Sequence, residues 1–395
     1  MKLAERMKLI KPSATLGMAA EAAALRAQGR DIVDLSAGEP DFDTPEHIKA
    51  AARDALARGL TKYTPVGGLE VLKDAIIEKL KRENGLVYGR TEVMASCGGK
   101  HALFNAMLAL FEAGDEVILP APYWVSYPEM LALAGAVTKV VETSPGRGFR
   151  MSPAEFEAAI GARTRAVLIN SPSNPTGAVY DAEELRAIGE IAHRRGLLVV
   201  TDDIYENLTS KRIPHIGALV PALRPQLLII NAVSKSYAMT GWRIGYAAAP
   251  ADPIKAMTTL QSQSTSSPTS IAQAAAAAAL TGPQECVVEM AREFALRRDL
   301  VVRLLQAIPG VVTTVPEGAF YVFPDVSAHF GKQGPDGPIR GAHDLAMYLL
   351  RHTGVATVPG EGFGAPRHIR ISYATSRAAL EDGIARIARA LANLR

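Results

Sequence analysis

Three clusters of polar residues close three apolar runs in this chain. Asn170 and Asn174 follow RAVLI in NSPSNPTG (170–177), Asp202 and Tyr205 follow LLVVT in DDIYE (202–206), and Lys235 follows LLIIN in SKSYAMTGWRIGY (234–246). A lysine just past a core strand is costly unless something binds its amine, and Arg243, eight residues further on, raises the same question. In open α/β sheets, ligands sit beyond the carboxyl ends of the strands. An amide, a carboxylate with a phenol, and an amine would therefore converge on one site. Singly, each has a plainer reading: Asn-Pro-Thr-Gly turns by its own chemistry, Asp202 caps a helix, and Lys235 snorkels to solvent. Their coincidence at three strand ends is what points to a ligand.

A fourth stretch, SCGGKHALFNA (96–106), adds an anion site. Gly98 and Gly99 open a helix and leave free N–H groups at its positive end, an arrangement that suits phosphate; a tight turn without ligand is the alternative. Arg243 would add a guanidinium to the same phosphate. A phosphate cradle, an amine, an acid, a phenol and an aromatic slab together fit pyridoxal 5′-phosphate. Lys235 would join its aldehyde, and Asp202 would keep its pyridine nitrogen protonated so that the ring accepts electrons. A phenol and an asparagine would bond the ring hydroxyl, and Trp124 in PAPYWVSYPE (120–129) would stack on the ring.

Positioning these groups requires a sheet. From about residue 69 to 250, helical patterns alternate with short apolar runs: EVILP (116–120), RAVLIN (165–170), LLVVTD (197–202), LLIIN (227–231) and IGYAAA (244–249) read as buried strands. Helices are expected at 69–84, 101–114 and 183–196, and the alternation predicts a mostly parallel sheet covered on both faces. After a long helical stretch (284–308) the texture changes. GAFYVF (318–323), VATVP (355–359) and HIRISYA (368–374) read as strands, with a last helix near 376–393. The expected organisation is a large domain over 44–295 and a smaller α+β domain from 1–43 and 296–395.

Composition narrows the function classes. The 395 residues are 48% hydrophobic, with a net charge of +3 and scattered basic residues, so no nucleic-acid face or membrane patch is signalled. Cys97 and Cys286 form neither a disulfide framework nor a metal knuckle, and no metal site is expected. The N-terminus lacks an apolar signal core, and no apolar run reaches membrane-spanning length; a cytoplasmic protein is the expectation.

Taken in order, SAGEPDFDTP (36–45), KYTPVGG (62–68), GGKHALFN (98–105), PYWVSYPE (122–129), NSPSNPTG, DDIYE, SKSYAMTGWRIGY and IRISYATS (369–376) resemble the class I aminotransferases of the aspartate aminotransferase family, nearly end to end. The resemblance is greatest to the bacterial branch of aspartate and prephenate aminotransferases. It implies a fold type I pyridoxal-phosphate transferase and a ping-pong transfer of the amino group between aspartate or glutamate and 2-oxoglutarate or oxaloacetate. Prephenate or aromatic substrates on the same fold are the alternative.

Matching positions imply roles. Lys235 is similar to the Schiff-base lysine and proton shuttle. Asp202 matches the pyridine-nitrogen partner, Tyr205 and Asn174 the partners of the ring oxygen, and Arg243 the phosphate arginine. Gly98, Gly99, Lys100 and Ser234 join the cofactor cradle. Arg370 matches the arginine that forks onto the substrate α-carboxylate, helped by Gly38, with Trp124 and Asn174 also on the substrate side. Tyr63 matches a tyrosine that reaches the phosphate of a neighbouring subunit, so a homodimer with shared sites is implied. Lys100 would meet the side-chain carboxylate of an acidic substrate; a solvent-facing residue is its other reading. Lys11 in KPSAT sits where related sequences keep a basic residue associated with prephenate; a solvated N-terminal lysine is its other reading. Ala232 departs from the Ser or Gly that the family often has three residues before the lysine, which removes a hydroxyl contact to phosphate that Ser234 would supply.

Rival readings are separable. A β-lyase or cyclising synthase shares most of these anchors but releases ammonia or pyruvate. A transcription regulator built on this fold carries an N-terminal DNA-binding module, for which the 35 residues before SAGEPDF leave no room. A nicotinamide dehydrogenase needs a G-x-G-x-x-G after its first strand, which is missing.

Overall fold

The computed structural model describes residues 1–12, 14–209, 211 and 214–395. Its main sheet has seven strands: β1 (Val93–Ser96), β2 (Glu116–Ala121), β3 (Val137–Glu142), β4 (Thr164–Asn170), β5 (Leu198–Asp202), β6 (Leu227–Ala232) and β7 (Gly245–Ala248). Their spatial order is β1-β7-β6-β5-β4-β2-β3. The pairs from β6 to β3 are parallel, and β7 runs antiparallel to both its neighbours. All six residues of β6 are buried, as the unbroken apolar run demands of a strand with helices on both faces.

The sequence reading does not contain β1 or β3. β1 is only VMAS, too short to declare itself, and β3 is an edge strand whose Thr, Lys and Glu break up its apolar signal. The helix expected to reach Gly114 ends at Leu110. Phe111 is extended, and the Asp115 carboxylate accepts from the Glu112 amide at 3.1 Å, closing a turn in place of further helix.

A second core lies around a three-stranded antiparallel sheet of Val358–Pro359, Ile369–Ser372 and Tyr321–Val322, packed with the helices Glu285–Gln306 and Arg377–Ala392. Val33–Asp34 pairs in parallel with Val355–Ala356 and ties the N-terminal segment into this half. The helix Glu285–Gln306 spans the expected boundary at 295. Its Val287 packs into the core of the large sheet, while Met290, Phe294, Val301 and Leu305 pack into the second core. Among the described residues, no helix is long and apolar enough to cross a membrane.

Register brings the polar strand ends together. Asn170 lies opposite Asp202, and Asp202 opposite Ile230, so β4, β5 and β6 end side by side. Behind them a buried network braces the turn after β5. The Glu206 carboxylate takes the Lys79 ammonium, the Asn84 amide at 2.8 Å and the side-chain amide of Asn231 on β6. Burial opposes both charges, but each partner outweighs it, holding Glu206 below and Lys79 above its ordinary range. Such a pair tolerates burial only while both members remain.

Candidate active site

The strand ends open into a cavity of about 230 Å³ between the two cores. Gly38, Gly99, Lys100, Trp124, Asn174, Asp202, Tyr205, Ser234, Lys235, Arg243 and Arg370 all line it. Eleven of the thirteen singled-out residues other than Gly98 are therefore in one wall or another; Tyr63 and Lys11 are the exceptions. The side chain of Tyr63 is 94% exposed on the surface. The backbone N–H of Lys11 donates to Glu129 Oε2 at 2.8 Å, leaving its own side chain exposed.

At the cavity floor, Asp202 is buried. It accepts the Tyr127 hydroxyl proton at 2.6 Å, and the Asn170 side-chain amide holds its main-chain carbonyl at 2.7 Å. Burial pushes the Asp202 carboxyl up to about 6, against the pull of the Tyr127 hydrogen bond. A cation placed beside it would offset the burial and hold the carboxylate ionised. Lys235 leaves β6 on a short helical turn, Val233–Ser236, and its ammonium donates to the Gly38 carbonyl. Burial lowers its pKa to about 8, so near that pH a large fraction of the amine is neutral and nucleophilic.

The anion end follows from backbone shape. Gly98 has φ +90°, and a Cβ there would lie 2.5 Å from Arg243 Nη2, so only glycine lets the guanidinium lie against the start of the helix Gly99–Leu110. Gly245 allows a similar approach, since a Cβ on it would lie 2.2 Å from the Gly99 nitrogen. Arg243 is itself left-handed, at φ 58°, and Nη1 donates to the Thr240 carbonyl at 2.8 Å. Helix N–H groups, the Ser234 hydroxyl and a guanidinium thus border one end of the cavity. The Ala232 methyl faces Gly99.

Two further cations, Arg370 and Lys100, face the cavity. Arg370, 1% exposed, donates from Nη1 to Asn174 Oδ1 at 3.1 Å and from Nη2 to the Ser36 carbonyl at 2.8 Å. Its guanidinium lies 4.4 Å from the Tyr321 ring centroid and 5.3 Å from that of Phe363, and its buried Nε has no partner. A buried guanidinium with a free N–H is a site missing an acceptor. Lys100 Nζ sits 4.8 Å from the Trp124 ring centroid. Burial and then the nearby Arg243 lower its pKa, so an anion arriving there would relieve an unfavourable cation.

Sequence reasoning missed Tyr127 and Tyr321. The first stands in the same PYWVSYPE motif as Trp124, and its hydrogen bond to Asp202 spans 75 residues of sequence. The second stands in GAFYVF, which reads only as a strand. Its hydroxyl lies 3.0 Å from that of Tyr205, a pairing no local pattern reveals.

The donor set suits a phosphorylated pyridine aldehyde. It offers an amine of lowered pKa, a buried carboxylate, phenol and amide donors, a helix start backed by arginine, and an aromatic wall. A model of the aminotransferases of class I and II matches residues 30–387, and the chain belongs to that family of pyridoxal-phosphate-dependent transferases. It is 51% identical to the aspartate aminotransferase of Geobacillus stearothermophilus over 98% of both chains. It is 47% identical to the aspartate/prephenate aminotransferase of Nitrosomonas europaea, over 98% of this chain and 99% of that one. Among solved structures, the aspartate aminotransferase of Rhizobium meliloti superposes with a TM-score of 0.96 at 47% identity, covering 100% of both chains. The Thermus thermophilus aspartate aminotransferase with maleate gives 0.92 at 47%, covering 99% of this chain and 100% of that chain.

Proposed function

We propose that this chain is an aspartate aminotransferase, moving the amino group of L-aspartate or glutamate to 2-oxoglutarate or oxaloacetate in a ping-pong cycle. The observation that carries the reading is the convergence of Lys235, Asp202, Arg370 and the Gly98–Arg243 cradle on one cavity. The names of the relatives and the maleate-bound neighbour support it.

When bound, pyridoxal phosphate supplies an aldehyde carbon and a ring that accepts the electrons of the bond being broken. The chain's own groups do the rest. Lys235 Nζ is the attachment point and moves a proton between the substrate α-carbon and the cofactor. Its lowered pKa makes it a base near neutral pH. Asp202, fixed by Tyr127, holds a proton on the ring nitrogen. Tyr205 and Asn174 donate to the ring oxygen. Gly99 N–H, Ser234 and Arg243 hold the phosphate, with Gly98 giving Arg243 its room. Trp124 covers the ring and excludes water. Arg370 and Gly38 take the α-carboxylate, while Lys100 meets the second carboxylate of a dicarboxylic substrate.

Lys100→Ser tests the acidic-substrate assignment. A hydrogen bond to a charged group is worth roughly 1.5–3 kcal/mol, so kcat/KM for aspartate should fall about ten- to a hundred-fold. Phenylalanine, with nothing to pair with the ammonium, should barely change. Equal falls for both substrates would assign Lys100 to the cofactor or to structure. A panel of amino donors against 2-oxoglutarate and oxaloacetate, with ammonia and pyruvate release measured alongside, tests the reaction itself.

The active unit is a cytoplasmic homodimer in this reading, with Tyr63 reaching the phosphate of the partner subunit; its 94% exposure in the single chain supports that use. Mixing Lys235→Ala with Tyr63→Ala should yield heterodimers in which one site carries both defects and the other is intact, restoring activity above either parent. No gain on mixing, or a fully active dilute monomer in sedimentation, would refute the shared site.

A further inference from the structure

We infer that Tyr321 is a positioning residue for the cofactor's ring oxygen, acting through Tyr205. The inference rests on the pyridoxal-phosphate reading of the cavity. Tyr321 lines that cavity, and its hydroxyl lies 3.0 Å from the Tyr205 hydroxyl, both buried. A phenol has one proton to give. If Tyr205 gives its proton to Tyr321, it has none for the ring oxygen. The surroundings favour the opposite order. Asn174 also donates to the Tyr205 oxygen, but at a long 3.5 Å, so that oxygen has a lone pair open to a better donor. Tyr321 supplies it, and the Tyr205 O–H is then turned outward toward the cavity.

The charges around the pair fit this direction. Burial raises the pKa of both hydroxyls, that of Tyr205 well above its ordinary value; the Arg370 guanidinium, over the Tyr321 ring, works against burial at Tyr321, so Tyr321 is the readier donor of the two. Asp202 faces Tyr205 and discourages negative charge on its oxygen, while Glu39, Lys235 and Arg243 complete the ionised groups that bear on the site. Two phenols in series also polarise each other, so the terminal O–H is a stronger donor than an isolated one. The pair links the two halves of the molecule as well. Tyr321 comes from the three-stranded sheet and Tyr205 from the turn after β5, so the hydrogen bond sets how the C-terminal half presents Arg370 and the cofactor oxygen partner together.

Tyr321→Phe keeps the ring and removes only the hydroxyl. A weaker donor at the ring oxygen disfavours the anionic form of that oxygen, so the Lys235–cofactor linkage should hold its proton to higher pH. The pH midpoint of the visible absorbance of the holoenzyme should rise by about 0.5–1 unit, and kcat should fall roughly three- to ten-fold. Tyr205→Phe should raise the midpoint further. The double variant Tyr205→Phe/Tyr321→Phe should match Tyr205→Phe alone, because Tyr321 has lost the group it acts through. An unchanged midpoint in Tyr321→Phe, or a shift that persists undiminished in the Tyr205→Phe background, would overturn the inference while leaving the cofactor reading intact. Failure of that reading shows differently: no visible absorbance assignable to Lys235 in the parent protein.

Discussion

Lys235→Ala should abolish transamination, lowering kcat by about 10⁴-fold or more, because attachment and proton transfer are lost together and each general acid–base contribution is worth roughly 10²–10⁴-fold. Among the described residues, no other amine is placed to substitute. Lys100 also lines the cavity, but its ammonium lies against Trp124, while Lys235 Nζ is held at the Gly38 carbonyl. Borohydride treatment of the holoenzyme, followed by peptide mapping, should find the cofactor on Lys235. In Lys235→Ala it should find no fixed label while the fold, followed by circular dichroism, stays intact. Label on another lysine, or activity within a hundred-fold of the parent, would remove Lys235 from the chemistry.

The next largest effect is expected at Arg370. Its guanidinium spans Asn174 and the Ser36 carbonyl, keeps Nε free, and lies between the Tyr321 and Phe363 rings. Lysine keeps the charge but cannot reproduce a planar fork that serves a carboxylate and two protein acceptors at once. Losing one or two hydrogen bonds to a charged group should lower kcat/KM by about 10²-fold or more in Arg370→Lys. The fall should be the same for aspartate, glutamate and phenylalanine, since all present the same α-carboxylate. That uniformity separates Arg370 from Lys100, whose loss should discriminate between substrates. A parental kcat/KM in Arg370→Lys, or a fall confined to dicarboxylates, would contradict its placement on the α-carboxylate.

The amino-acid sequence by itself determined the family and the buried framework. The runs that became β2, β4, β5, β6 and β7 are continuous and apolar because both faces of those strands are covered, and that signal is local. The residues closing these runs stood out for the same reason: an asparagine, an aspartate or a lysine at the end of a buried strand is conspicuous without any knowledge of its neighbours. Where the local signal is weak, the sequence does not disclose the element. β3 carries the mixed pattern of an edge strand, β1 is four residues long, and EAG after the helix Gly99–Leu110 has a helical pattern although Asp115 closes a turn there. Only the tertiary structure decided the hydrogen bonds of Tyr127 to Asp202 and Tyr321 to Tyr205, which join residues 75 and 116 apart. The same holds for Arg370 and Asn174, 196 residues apart, and for the burial that moves Lys235 to about 8 and Asp202 to about 6. Proton affinity and donor direction depend on what closes over a group, and that is set by chain segments far away in sequence.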